Sequence, residues 1–157
     1  MSLSLVTMDH MIETRESALA TALRERGQRA TPQRLAIARV LTDLDRHVTA
    51  EHVHAEVSAR MPGVSLPTVY ATLDLLEALG LARRVATEGG AVVYDPRTDE
   101  HHHLVCRGCG AIADVDAPVD TTGVLAAAVE TGFRPDASQV VLRGLCAECA
   151  AKLVSAG

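Results

Sequence analysis

Apolar residues in the first half of the chain recur at three- and four-residue steps, the spacing of helices with one buried face. Leu19 and Leu23 lie four apart in a helix expected over residues 16–26, which Gly27 ends. Thr31-Pro32 reads as an N-cap followed by proline at the first helical position. Beyond it, Leu35, Ala38 and Leu41 share a face that Ile37, Val40 and Leu44 widen. Thr49 is expected to cap a third helix carrying Val53, Val57 and Met61, broken by Pro62-Gly63. A fourth helix is expected from Ser65 to Gly80, with Val69, Leu73 and Leu76 buried. Tyr70, Asp74 and Glu77 occupy another face, and two of the three are charged, so Tyr70 is expected to point outward. Two β-rich runs within LARRVATEGGAVVYD, joined by Glu88-Gly89-Gly90, read as a hairpin.

Helices followed by a hairpin predict a winged helix. A small α+β core with no DNA function fits the same pattern. PRTDE, residues 96–100, reads as a linker. Beyond it HHLVC, AIADVD and QVVLRGLC read as strands, and residues 124–131 as a helix ending at Gly132. The expected organisation is α+β: a helical domain over 1–95, a hinge over 96–100 and a small α/β domain over 101–157.

Composition changes this picture little. Aromatic residues are 2% of the chain, with no Trp, so the core must be built from Leu, Val, Ala and Ile. No apolar stretch approaches the roughly 18 residues that span a bilayer. The first residues, MSLSLVTMDHMIETRE, lack the form of a secretory signal. The expectation is a cytoplasmic protein without a membrane partner. Charge is more informative once split. Residues 1–85 hold ten Arg and ten Asp or Glu, whereas residues 86–157 hold five basic and ten acidic residues and so carry the whole net charge of -5. A neutral half can present an Arg-rich face, and an acidic half suits cations.

All four cysteines fall in two CxxC pairs, Cys106/Cys109 and Cys146/Cys149, the spacing of a structural tetrahedral zinc site. Two disulfides are the alternative. Gly108, Gly110 and Gly144 are expected to allow the tight backbone of such a knuckle. His101-His102-His103 precedes the first pair on an expected strand, so His101 and His103 share one face while His102 and Cys106 share the other. Metal bound by His101 and His103 would therefore form a second site, with the carboxylates Asp95 and Asp114 close in sequence and His47 in the loop before the third helix; a solvated polar turn is the alternative. His52 and Glu56 form an ordinary helical pair, and His10, His52 and His54 are read as without function.

The order ATPQR, H-x-T-A-E-x-V, S-x-P-T-V-Y-x-T-L, Y-D, HHHLVCRGCG and LCAEC resembles the ferric-uptake-regulator (Fur) superfamily of bacterial metal-dependent repressors, over about residues 19–152. The resemblance implies a winged-helix DNA-binding domain, a hinge and a dimerisation domain with structural Zn2+ on the four cysteines. It also implies a regulatory metal held by His47, Asp95, His101, His103 and Asp114, a nitrogen and oxygen set suited to Fe2+ or Mn2+. Iron-uptake repressors of the superfamily typically have Glu at the positions of Asp95 and Asp114, whereas the peroxide-sensing, PerR-like branch has Asp at both. That branch implies oxidation of a ligand histidine by peroxide, here His47 or His101, followed by release from DNA. The auxiliary histidine that many relatives use in the C-terminal part is missing, because no His follows His103.

The resemblance further implies a homodimer on an A/T-rich palindromic operator in double-stranded DNA. The fourth helix would enter the major groove with Ser65, Thr68 and Tyr70, and Arg29 would reach the minor groove. Arg34, Arg83 and Arg84 are candidates for phosphate contacts or plain surface charges. The position after Tyr70 is Ala71, where several relatives have a basic residue. A peroxide-insensitive iron or manganese uptake repressor is the nearest rival. A zinc-uptake repressor would need a spare thiolate, and a metal-dependent hydrolase would need an open coordination position and a separate base.

Overall fold

Three threonine and serine hydroxyls set where the helices of the first half begin. The computed structural model of the chain describes residues 16–87, 90–136 and 138–155. Helix α1 is described over residues 16–25. Thr31, Thr49 and Ser65 each accept a hydrogen bond from the backbone N–H three residues on, and so start α2 (Pro32–Leu44), α3 (Ala50–Arg60) and α4 (Leu66–Ala78). Past α4, Gly80 takes the left-handed φ of 70° that lets the chain turn back. A two-stranded antiparallel hairpin follows, β1 (Arg83–Ala86) with β2 (Val92–Asp95). Of the expected turn, Glu88 and Gly89 lie outside the described residues, as does His10.

Leu19, Leu23, Ile37, Leu41, Val53, Val57, Val69, Leu73, Leu76 and Tyr94 form one buried cluster. The expected stripes are its walls, although Leu35, Leu44 and Met61 lie at its margin, partly buried. Tyr70 points outward as expected. The hairpin joins this core through one isolated bridge: the N–H groups of Val48 and Tyr94 donate to each other's carbonyls at 3.0 and 2.8 Å.

Contacts divide the chain between Thr98 and Asp99 into two compact units. The second unit has a three-stranded sheet in the order β4 (Ile112–Val115), β3 (His102–Cys106), β5 (Val141–Gly144). β4 pairs antiparallel and β5 parallel to the central β3. Helix α5 (Thr122–Glu130) occupies the stretch where a helix was expected.

One expectation needs correction, and one helix was not expected. Ala147–Ser155 form that helix, α6, which opens between Cys146 and Cys149. The run QVVLRGLC is a strand only over Val141–Gly144, because Cys146 already leads into that helix. Among the described residues, no helix is long and apolar enough to cross a membrane.

Candidate metal centres

The parallel pairing of β3 with β5 brings the ends of both strands together at Cys106 and Gly144. Each strand ends next to a cysteine pair, so the four sulfurs converge. All lie within 4.8 Å of one another, and Cys109 and Cys146 are 3.8 Å apart. Four thiolates at about 2.3 Å from a tetrahedral zinc would be roughly 3.8 Å apart. None of the four forms a disulfide, which removes that alternative.

The backbone prepares the cluster for a cation. The N–H of Cys146 donates to the Cys106 sulfur at 3.2 Å. With further backbone donors from Cys109 and Gly108, it holds the Cys106 pKa down to about 6, so this thiol is mostly thiolate at neutral pH. Hydrogen bonding with the Cys146 and Cys106 sulfurs pushes the Cys149 thiol up to about 12. A divalent cation held by the four sulfurs would take the place of their protons.

The three glycines differ in what they do. A Cβ on Gly108 would lie 2.8 Å from the Cys149 sulfur, so the close approach there requires glycine. Gly110 has a φ of 74°, which favours glycine for backbone reasons. Gly144 needs neither, since its φ is ordinary and nothing would meet its Cβ, so the expectation for it is corrected.

Oxygen and nitrogen ligand types gather in each unit separately. In the first unit, the Val48–Tyr94 bridge sets the residues beside it, His47 and Asp95, across from each other. Nε2 of His47 lies 3.5 Å from the Asp95 carboxylate. The second carboxylate oxygen of Asp95 accepts from the Arg97 N–H at 2.8 Å, which fixes its orientation.

In the second unit, His103 pairs in register with Asp114 across β3 and β4. His101, two residues earlier on the same face, brings its Nε2 to 3.0 Å from that of His103. The rings meet edge to face, with centroids 4.6 Å apart, and the Asp114 carboxylate lies 3.7 Å from both Nε2 atoms. Nδ1 of His101 donates to the Asp99 carbonyl at 2.8 Å. Because a carbonyl can only accept, the proton sits on Nδ1 and the Nε2 lone pair faces Asp114 and His103. The Gln139 side chain lies 3.0 Å from Nδ1 of His103. An amide can present nitrogen or, turned over, oxygen. It therefore supports both a metal-free state, in which His103 donates from Nε2, and a state with two bare Nε2 atoms aimed at a cation. His102 faces the other way, with its Nδ1 accepting from the Val140 N–H at 3.4 Å.

The DNA candidates are distributed over the first unit. Ser65 caps α4, and its hydroxyl lies 2.8 Å from that of Thr68. The Tyr70 hydroxyl donates to Glu51 at 2.6 Å, a contact that lowers the carboxyl pKa of Glu51 and raises the phenol pKa of Tyr70. Arg34 donates to the Arg29 carbonyl at 3.0 Å and Arg83 to the Thr98 carbonyl at 2.9 Å. Arg84 forms an ion pair with Asp74 of α4. Glu51, Asp74, Tyr94 and Gln139 had not been singled out as partners of the site. The i, i+4 relation of Tyr70 to Asp74 was visible in the sequence, but nothing in it pointed to their partners on other elements.

Comparison with known proteins agrees with this architecture. The family model described as the Ferric uptake regulator family matches residues 25–142. The ferric uptake regulation protein 1 of Mycolicibacterium fortuitum is 42% identical over 120 residues, 76% of this chain and 74% of that protein. The peroxide operon regulator of Bacillus subtilis is 35% identical over 138 residues, 87% of this chain and 94% of that protein. The solved structure of the Helicobacter pylori ferric uptake regulator Fur superposes with a TM-score of 0.75 at 20% identity, over 88% of this chain and 93% of that one, a likeness of fold. Members of the matched family are transcriptional regulators, not enzymes. The chain belongs to the ferric uptake regulator family of metal-responsive transcriptional regulators.

Proposed function

We propose that the chain is a dimeric cytoplasmic repressor that binds operator DNA when Fe2+ or Mn2+ occupies its regulatory site, and that hydrogen peroxide releases the iron form. The observation that carries this reading is the ligand chemistry. His101, His103 and Asp114 converge in one unit and His47 and Asp95 in the other, with no thiolate among them. Imidazole and carboxylate suit Fe2+ and Mn2+, whereas the four thiols suit structural Zn2+. Both carboxylates are the shorter Asp, the pattern that the resemblance to the peroxide-sensing branch implies, and the Bacillus subtilis relative is named a peroxide operon regulator.

Each residue then has a defined task. A regulatory ion favours the DNA-binding state by as much as its affinity differs between that state and the alternative. The Asp99 carbonyl keeps the proton on Nδ1 of His101, leaving Nε2 to bind. His47 and His101 would be among the residues holding the ion, and Fe2+ there would activate peroxide for O–O cleavage: the ring of His47 or His101 would lose two electrons and gain one peroxide oxygen, while the other oxygen would leave as water. Loss of that imidazole donor weakens the ligand set and the protein leaves DNA.

Ser65, Thr68 and Tyr70 on α4 would face the major groove and Arg29 an A/T-rich minor groove, with Arg34, Arg83 and Arg84 near phosphates. A dimer places two α4 helices about one turn of DNA apart, hence a palindromic operator. Exposed apolar residues in the second unit support dimer formation: Val124, Val129, Phe133, Leu142, Leu153 and Val154 are all exposed.

The test is anaerobic operator binding by the Fe2+-loaded protein before and after a small dose of peroxide, with mass spectrometry of the peptides carrying His47 and His101 and a Mn2+-loaded control. Release with a one-oxygen mass gain, in the iron form only, is the expected result. Unchanged binding and unmodified histidines would favour the second reading, a regulator of iron or manganese uptake without peroxide sensing. The name of the 42%-identical Mycolicibacterium fortuitum relative favours that one.

A further inference from the structure

Tyr94 touches two places that the proposed function needs to connect. Its backbone forms the bridge with Val48 that sets His47 opposite Asp95. Its ring lies in the helical core, only 1% exposed, and its hydroxyl emerges to donate to the Asp74 carboxylate at 2.7 Å. Asp74 lies on α4, four residues and so about one turn beyond Tyr70. The same carboxylate oxygen also accepts from Arg84 of β1, and the Arg84 guanidinium stands 5.7 Å over the Tyr94 ring. One buried side chain thus ties the strand carrying a candidate metal ligand to the helix carrying the candidate base contacts, and holds a candidate phosphate contact beside them.

We propose that the Tyr94–Asp74–Arg84 clamp makes Tyr94 a positioning residue that couples occupancy of the His47/Asp95 ligand pair to the placement of α4 on DNA. This rests on the metal-dependent operator binding proposed above. The bridge is short and rigid, with two backbone hydrogen bonds on a single residue pair, so a change in the His47–Asp95 separation shifts the Tyr94 backbone with it. The phenol is a lever whose far end is held by Asp74. The hydrophobic face of α4, Val69, Leu73 and Leu76, anchors the helix in the core but contains no group that responds to charge. The clamp supplies that response on the opposite, polar face.

The variants remove contacts and little volume. Tyr94→Phe deletes only the hydroxyl, Asp74→Ala deletes the acceptor, and Glu56→Ala removes an exposed acidic side chain of α3 as a charge control. The full chain would be titrated with a duplex selected on the Mn2+-loaded wild-type protein, once with Mn2+ and once with the regulatory metal chelated while zinc is retained. The readout is the factor by which Mn2+ tightens DNA binding. Tyr94→Phe and Asp74→Ala are each expected to reduce that factor by about three- to tenfold, the double variant by no more than either alone, and Glu56→Ala not at all. By linkage, DNA should tighten Mn2+ binding less, by the same ratio, in Tyr94→Phe. If Tyr94→Phe lowers metal-loaded and metal-free affinities equally, or keeps the full factor, the coupling role is overturned. If Mn2+ does not tighten DNA binding by the wild-type protein, the proposed function itself fails.

Discussion

Replacing Gly108 by alanine tests the proposed zinc site without removing a ligand. The new Cβ would lie 2.8 Å from the Cys149 sulfur, 3.0 Å from the Cys149 Cβ and 3.3 Å from a methyl of Leu145. Nonbonded heavy atoms sit comfortably at about 3.5–4.0 Å, so something must move by about 0.7 Å. A zinc-bound sulfur cannot absorb that, because Zn–S distances hold near 2.3 Å within about 0.2 Å. Either the knuckle shifts or Cys149 loosens. Overpacking of this kind costs about 1–3 kcal/mol, which corresponds to zinc binding roughly 5- to 150-fold weaker. Competition against a chromophoric chelator under reducing conditions measures it. Gly144→Ala is the matched control and should bind within about twofold of wild type, since nothing lies within 4 Å of its Cβ. Gly110→Ala should fall between them, because its φ of 74° costs about 1 kcal/mol in any L residue without a clash. A Gly108→Ala protein that holds zinc as tightly as wild type would refute the packing of Cys149 against this turn.

Leu73→Ala removes a fully buried side chain from the centre of the helical core and should cost about 2–5 kcal/mol in denaturant unfolding; a loss below about 1 kcal/mol would contradict that burial. Ser65→Ala should destabilise the first unit by about 1 kcal/mol through the lost α4 cap, read as a lower thermal midpoint, and an unchanged midpoint would argue against the cap. The chain has two tyrosines and no tryptophan, so phenolate absorbance of Tyr70→Phe reports Tyr94 alone. Burial, and then the hydrogen bond to Asp74, push the Tyr94 phenol up to about 12. Its folded pKa exceeds the unfolded value near 10, so its stabilising contribution is complete below about pH 10 and is lost as pH rises through about 12. Ionisation near 10 in the folded protein would contradict the buried clamp. Stripping zinc with a chelator should abolish the far-ultraviolet signal of α6 and β5, at whose adjoining ends lie two of the four thiols, Cys146 and Cys149; a retained spectrum would show that the second unit folds without metal.

How much of this was legible depends on how far apart the interacting residues lie. Helices α2, α3 and α4 could be read because each begins with a hydroxyl cap and repeats its apolar residues within one or two turns. The face shared by His101 and His103 follows from strand alternation, a two-residue rule. Helix α6 was missed because its first turn is occupied by the second cysteine pair, and a metal-binding reading of CxxC displaced the helical reading of AECAAKLVS. Its alanines, glutamate and lysine are good helix formers and were the available signal. The facing of His47 and Asp95 has no local signature at all, since a single bridge between Val48 and Tyr94 produces it.

The same reasoning explains why polar partners escaped a sequence reading that singled out the candidate metal ligands. Ligand types are rare residues, and their clustering in a chain of this length is itself informative. Asp74, Arg84 and Glu51 are common surface types whose ordinary role is to face solvent. Their pairing depends on where a buried tyrosine or an outward one ends. Tyr94 reaches Asp74 because its ring is long enough to cross the core margin, and Tyr70 reaches Glu51 because α3 and α4 pack side by side. Both contacts join α4 to a neighbour through a phenol hydroxyl. The Tyr94 contact can open at the cost of one hydrogen bond to a charged acceptor, about 1.5–3 kcal/mol at most and less where water competes, and the exposed Tyr70 contact opens more readily. A helix whose core face is fixed and whose polar face is held by contacts of that size can be reset by a ligand of ordinary affinity. A regulator that must leave DNA on a chemical signal needs that balance.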